Sequence, residues 1–350
     1  MRVTLAGIVL SLLAAAGCSS SGSSHLLYVA TGNGIFAYRI DNGSGNATPV
    51  FSAPFIVGNS PSAIAISPSN RFAYVTNQQD STISLLKIDT SSGALSEVLP
   101  RTNTGLSPST MVMDSTGSFL FVADQGSNDV EVFSIASDGS LKLSSTTQLR
   151  ASPSALALTN SGNLLFVAVQ NLSAIYDFTV SSGSLTPIAN SPFVVSNGLA
   201  SLAIDSSASF LYAPDPATST ITGFSINSGA LSPLPSSPYG TTVTTNQLKT
   251  PVSVVTDPTG KYLYAANFGA SSLSGFTIAS NGDLTPLVSS AGSAGTNPNL
   301  ITFDPNGKLV YVGNSGSNSI TVLSVGSSGT LTSSNTIQVG TVARGLAFTK

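Results

Sequence analysis

Five residues stand out for the chemistry they allow: Arg101, Arg150, Lys249, Asn299 and Arg344. Four are cations in a chain with only 8% charged residues, and a guanidinium binds carboxylate or phosphate through two parallel hydrogen bonds. Converging on one concave face, they would hold a small anionic ligand. Other chemistries lack their residues. His25 is the sole histidine and Cys18 the sole cysteine, so the common metal sets and a Ser-His-Asp triad are both out of reach. His25 itself reads as a surface residue ahead of the first strand. Without a Cys-x-x-Cys-His motif or a tryptophan, haem and redox chemistry are disfavoured, and no cofactor or metal is expected. A net charge of −3 with no basic patch sets nucleic acid aside.

The elements that must position these residues repeat. The aromatic dipeptides Tyr28-Val29, Tyr74-Val75, Phe121-Val122, Phe166-Val167, Tyr212-Ala213, Tyr264-Ala265 and Tyr311-Val312 follow at steps of 46, 47, 45, 46, 52 and 47 residues. A fixed period of this size marks a repeat architecture. Each unit carries four short apolar runs separated by turn residues, which read as strands. A glycine two residues before a leucine recurs at Gly93, Gly139, Gly183, Gly229, Gly282 and Gly329, where positive φ suits the hairpin between third and fourth strands. Asp114, Asp205, Asp257 and Asp304 close the first strands, and we expect them to cap the turns that follow. Asn77, Asp124, Asp215, Asn267 and Asn314 follow the second strands, where a short polar side chain bonding its own backbone would start the next turn.

Seven such units predict an all-β fold, a seven-bladed β-propeller of four-stranded antiparallel blades. After the seventh unit comes Val342-Ala-Arg-Gly-Leu-Ala-Phe348, which aligns with an inner strand, whereas the first unit begins at its second strand. The ring is therefore expected to close by the C-terminal inner strand joining the N-terminal blade, pairing two exposed sheet edges. The first residues of the inner strands align as Ser62, Ser109, Ser154, Ala200, Val252, Asn299 and Arg344, ringing one mouth of the channel. Arg101, Arg150 and Lys249 come shortly before inner strands, on the same face. The loop at 239–249 is the longest departure from the repeat.

Met1-Arg2 followed by the apolar stretch Val3 to Ala16, ending Ala14-Ala-Ala-Gly-Cys18, resembles a bacterial lipoprotein signal, in which the cysteine becomes the lipidated N-terminus. Ala15 stands where leucine is usual. The domain plan is then a signal peptide at 1–17, a Ser/Gly tether at 18–24 and the propeller at 25–350. Cys18 is the expected lipidation site. The protein is expected to be exported and lipid-anchored in the cell envelope, on a periplasmic or outer-membrane face, and monomeric.

Phe72-Ala-Tyr-Val-Thr-Asn77, Tyr262-Leu-Tyr-Ala-Ala-Asn-Phe-Gly269, Ser92-Gly-Ala-Leu95 and Phe303-Asp-Pro-Asn-Gly-Lys308 resemble phrases of the seven-bladed lactonase family, related to bacterial 6-phosphogluconolactonase and to Tyr-Val-Thr-Asn repeat propellers. The resemblance implies a Pro-Arg-His at an inner-strand start and an Asn-Glu after a second strand, with histidine and glutamate moving protons and arginine holding the substrate's acid group. Arg344 falls at the arginine, but Ala343 and Gly345 stand at the proline and histidine. Pro298-Asn-Leu300 lacks both arginine and histidine. Asn314-Ser315, Asn77-Gln78 and Asp124-Gln125 replace Asn-Glu, and the only glutamates, Glu97 and Glu131, lie elsewhere.

Three functions follow. The first is a non-catalytic envelope module that binds an unidentified protein or a small anionic or carbohydrate ligand. The second is a hydrolase of a sugar-acid lactone, in which Asp124 or Asp215 would serve as base. The third is a purely structural envelope protein.

Overall fold

Val, Ile, Phe and Tyr fill runs such as Phe72–Asn77 and Leu309–Asn314, and branched or flat side chains suit an extended, packed backbone. In the computed structural model, which describes residues 24–195, 199–241, 249–287 and 292–350, these runs form seven antiparallel sheets. Blade 1 combines Ser24–Thr31, Gly34–Asp41 and Ala47–Pro49 with the inner strand Ala343–Phe348. Blades 2 to 7 follow in chain order from Pro61, Pro108, Ala155, Ala203, Pro251 and Pro298. Closure is as the sequence predicts: Leu27 pairs with Phe348 and Thr31 with Ala343.

The core lies between blades rather than within one. Phe72, Tyr74, Ile83 and Leu85 of blade 2 pack on Met111, Leu120, Val122 and Phe133 of blade 3. Leu27, Val29 and Tyr38 of blade 1 pack on Leu309, Tyr311 and Ile320 of blade 7. Each second strand therefore has a neighbouring blade on both faces, which explains why Phe72–Asn77 and Leu309–Asn314 are buried at every position.

The expected back-face turns are present. Gly93, Gly139, Gly183, Gly229, Gly282 and Gly329 have φ between 77° and 90°. Asp114, Asp205, Asp257 and Asp304 each accept two backbone N–H groups at the start of the second strand, as at Lys261 and Tyr262, 2.7 and 2.6 Å from Asp257 Oδ1. Ser67, Thr159 and Thr349 take the same place with a hydroxyl.

Two local expectations change. His25 is buried, its Nδ1 2.6 Å from Asn42 Oδ1 and its ring edge-on to Phe348, because the closing strand covers it. The inner strand of blade 5 shrinks to Ala203–Ile204. Residues 1–17, Cys18 and most of the tether lie outside the described residues, as do residues 242–248 of the long loop. Among the described residues no helix is long and apolar enough to cross a membrane.

Candidate functional site

The inner strands begin at one face of the ring, the mouth face, where the second strands also end. At that face the sheet is irregular in a regular way. Pairing passes from Pro61↔Asn77 to Ala63↔Thr76, from Pro108↔Asp124 to Thr110↔Ala123, from Pro251↔Asn267 to Ser253↔Ala266, from Pro298↔Asn314 to Leu300↔Gly313, and from Thr31↔Ala343 to Ala30↔Gly345. Ser62, Ser109, Val252, Asn299 and Arg344 are the unpaired residues of these β-bulges. A bulge re-aims the side chain it carries, and here it does so at the channel mouth in blades 1, 2, 3, 6 and 7.

Three of the seven aligned positions are engaged in holding blades together. Ser62 Oγ donates to the Pro108 carbonyl at 2.8 Å, Ser154 Oγ to Leu199 at 3.1 Å and Asn299 Nδ2 to Ala343 at 3.1 Å. In each case the acceptor is the residue just before the aligned position of the next blade. Arg344 is the charged member. It is exposed and donates through Nη1 to Ser60 Oγ at 2.7 Å. No acid forms an ion pair with it among the described residues. Ser60 also lines a cleft of about 190 Å³ between Gly32–Gly34 and Ile56–Ser60. With its charge free, Arg344 can bind an anion at the seam where the ring closes.

The other predicted cations do not converge with it. Arg101 sits on the outer strand Leu95–Asn103, not beside an inner strand. Its Nε donates to Glu97 Oε1 at 2.7 Å, and Asp80 lies 3.6 Å away. Burial pushes the Glu97 carboxyl up, but hydrogen bonds from Arg101 and Ser84 outweigh this and hold it below the usual carboxylate range. Arg101 is therefore neutralised by its own strand. Arg150 is exposed beyond the outer strand of blade 3. Lys249 donates to the Thr241 carbonyl at 2.8 Å, and its partial burial lowers its proton affinity.

The polar residues ending the second strands are structural, by a different route from the one expected. Asp215 does cap its own turn, accepting from Ala217 at 2.9 Å and from the Thr218 hydroxyl at 2.6 Å, which leaves it poorly placed as a base. Asn77, Asn267 and Asn314 are fully buried and reach across to the third strand instead. Asn77 donates to Thr82 and Ser84, Asn267 to Ser272 and Ser274, and Asn314 to Ser319 and Thr321. The pattern is an amide followed five and seven residues later by hydroxyls.

Blade 3 breaks that pattern. Asp124, Asp129 and Glu131 occupy the same three places, with exposures of 0%, 6% and 8%. Burial above all, then the charges of Glu131 and Asp129, pushes Asp124 up to about 8. Burial also raises Asp129 and Glu131. The trio is legible in the sequence as Asp-x4-Asp-x-Glu where blades 2, 6 and 7 read Asn-x4-Ser/Thr-x-Ser/Thr. Among the described residues no group of three or more His, Cys, Asp or Glu is arranged to hold a metal ion.

A profile for the family described as lactonase, 7-bladed beta-propeller, matches residues 35–148 and 201–344. The 6-phosphogluconolactonases of Pectobacterium atrosepticum and Pectobacterium carotovorum are 32% and 30% identical to the chain over 91 residues. That match spans 24% of this chain and 27% of those enzymes. A candidate 6-phosphogluconolactonase from Bacteroides fragilis superposes with a TM-score of 0.83 at 22% identity, covering 95% of this chain and 99% of that one. The periplasmic gluconolactonase of Pseudomonas aeruginosa superposes with a TM-score of 0.80 at 19% identity, covering 94% and 99%. At these identities the structural likeness is one of fold.

Proposed function

Because the chain belongs to the seven-bladed β-propeller lactonase family, we propose that it hydrolyses a lactone bearing an anionic group, bound at the mouth face with Arg344 on the anion. The observation that carries this reading is the state of Arg344: exposed, aimed by a bulge, hydrogen-bonded to Ser60 and free of any acid partner among the described residues. Ring opening adds water to the ester carbonyl and expels the ring oxygen as an alcohol, leaving a carboxylate. Lactones are already activated esters, so holding the substrate against an oriented water supplies much of what the reaction needs.

A second reading, ligand binding without turnover, is favoured by the use of Ser62, Ser154 and Asn299 in blade-to-blade hydrogen bonds and by the glycine at position 345. The test is a pH-indicator assay with phosphorylated and unphosphorylated gluconolactones, on the wild type and Arg344→Ala, with gluconate and 6-phosphogluconate binding measured by calorimetry. Turnover lost in the variant supports the hydrolase. Product binding lost in the variant, without turnover in the wild type, supports the binding module. If the variant changes neither, Arg344 has no part in the site.

The lipoprotein-like start supports an exported, lipid-anchored placement. Cys18→Ser should move the protein from the membrane fraction to the soluble fraction. Unchanged association would remove the anchor from the proposal.

A further inference from the structure

Asp124 and Asp129 are direct cross-strand partners. Opposed side chains in such a pair have Cβ atoms about 4.5–5.5 Å apart, and like charges there repel. Neither carboxylate oxygen of Asp124 accepts a hydrogen bond of good geometry, and Asp129 Oδ1 is also without a donor. Asp124 is completely buried. Bare carboxylates in this arrangement are costly, and one proton relieves it: a protonated Asp124 carries an O–H that can be given to Asp129.

The connection from blade 2 to blade 3 lies directly on this group. The Gly105 N–H donates to Glu131 Oε2 at 3.1 Å. A Cβ at Gly105 would fall 2.4 Å from Ser127 Oγ and 2.9 Å from Asp124 Cβ, so nothing but glycine allows this approach. On the other side, the Thr104 N–H donates to the Ser81 carbonyl at 3.0 Å. The segment is thus held between blade 2 and the acids of blade 3.

We propose that Asp124, Asp129 and Glu131 form a proton-held latch on the segment 104–107: it lies shut while Asp124 keeps its proton and loosens when that proton is lost to solvent. The groups facing Asp124 are Asp129 and Glu131 on the third strand and, from the segment above, the Thr104 hydroxyl. No lysine or arginine acts on any of the three acids among the described residues. Arg101, the cation on the neighbouring outer strand, is occupied by Glu97 and Asp80. The latch is therefore governed by acids alone, and its release admits water to the seam between blades 2 and 3 at the mouth face. This device does not depend on the lactonase reading.

The test is a carboxyl-carbon NMR titration of the full chain from pH 4 to 10, with the Asp124 resonance identified by its loss in Asp124→Asn and the Gly105 amide followed in parallel. The expected result is a midpoint near 8 for Asp124 and a Gly105 shift that tracks it in the wild type and is flat in Asp124→Asn. Should that variant fail to fold, Asp129→Asn serves: removing the facing charge should lower the Asp124 midpoint by at least one pH unit. A midpoint below pH 6, or a Gly105 amide indifferent to the titration, overturns the latch. So does a saturable shift of the Asp124 resonance with 1 mM calcium at pH 7, which would make the trio a cation site.

Discussion

The Tyr74 hydroxyl donates to the Gly139 carbonyl at 2.8 Å across the seam between blades 2 and 3. These residues are the aromatic and the turn glycine of the repeated phrase, taken from successive repeats. Tyr28 and Gly93, Tyr212 and Gly282, and Tyr264 and Gly329 make the same bond at 3.0, 2.8 and 2.8 Å. Where the aromatic is Phe121, Ser145 Oγ reaches Gly183 instead at 2.7 Å. In the last seam Asn335 Nδ2 takes the Gly45 carbonyl at 3.3 Å, and the buried Tyr311 hydroxyl is left without a partner.

Tyrosine-to-phenylalanine substitutions should therefore differ by seam. Tyr74→Phe leaves a buried carbonyl unsatisfied and should cost about 1–3 kcal/mol. Tyr311→Phe removes an orphaned hydroxyl and should be neutral or slightly stabilising. Urea unfolding of both variants checks this, and equal losses would contradict it.

Removing residues 341–350 deletes the inner strand of blade 1, with the Phe348 contacts to His25 and Tyr311. It also opens the sheet edge of Ser24–Thr31, which pairs with that strand. The loss should be roughly 5 kcal/mol or more, comparable with the whole stability of a domain. Thermal unfolding of the truncated chain is the measurement, and an unchanged midpoint would refute closure.

Arg101 and Arg344 should separate stability from binding. Arg101→Ala breaks a partly exposed ion pair and should cost about 0.5–1 kcal/mol while leaving affinity for 6-phosphogluconate unchanged. Arg344→Ala should leave the melting temperature within a degree or two and weaken that affinity about tenfold or more. Calorimetry and thermal melts on the pair give the comparison.

Stability should peak in mildly acidic solution. Asp89 is held down to about 2 by hydrogen bonds from Ser91 and Ser92, and Asp41 and Asp138 are lowered by similar bonds within their turns. A lowered carboxyl stabilises the fold above its unfolded value of 3.8 and loses that contribution as pH falls through its folded value. Asp124 has the opposite sign: stability is lost as pH climbs from 3.8 to about 8. Melting temperatures should fall on both sides of about pH 4–5. Asp124→Asn, which installs the amide of Asn77, Asn267 and Asn314, should lessen the loss on the alkaline side, to which the raised Asp129, Glu131 and Asp177 also contribute, leave the acid side unchanged and raise the midpoint at pH 8.

The repeat made the blades, the glycine turns, the aspartate caps and the closure readable, because each rests on local chain geometry or on a period. Position within a blade was harder. Arg101 precedes an inner strand in sequence, yet it belongs to an outer strand long enough to carry it beside Glu97. Nothing local distinguishes those cases, since strand length is set by pairing with the third strand. The bulges were also hidden: Ser62, Asn299 and Arg344 align by sequence, but their shared direction comes from a register shift that only pairing creates. Burial of Asn77 and Asp124 was missed for a similar reason, as the glycines that press on them, Gly58 and Gly105, arrive from the preceding blade connection.

In blade 1 the turn that links inner and second strands elsewhere is divided between residues 349–350 and residues 24–25. Thr349 receives the Leu26 N–H at 2.9 Å through its hydroxyl, as Ser67 receives Phe72 at 3.1 Å in blade 2. Four residues, 68–71, separate Ser67 from Phe72, and Lys350, Ser24 and His25 supply three of the four between Thr349 and Leu26. With residues 1–23 removed, a single inserted residue would thus splice residue 350 to residue 24 with the residue count of the blade 2 turn. The propeller can then be circularly permuted, with its break moved to any other back-face turn and its mouth unaltered.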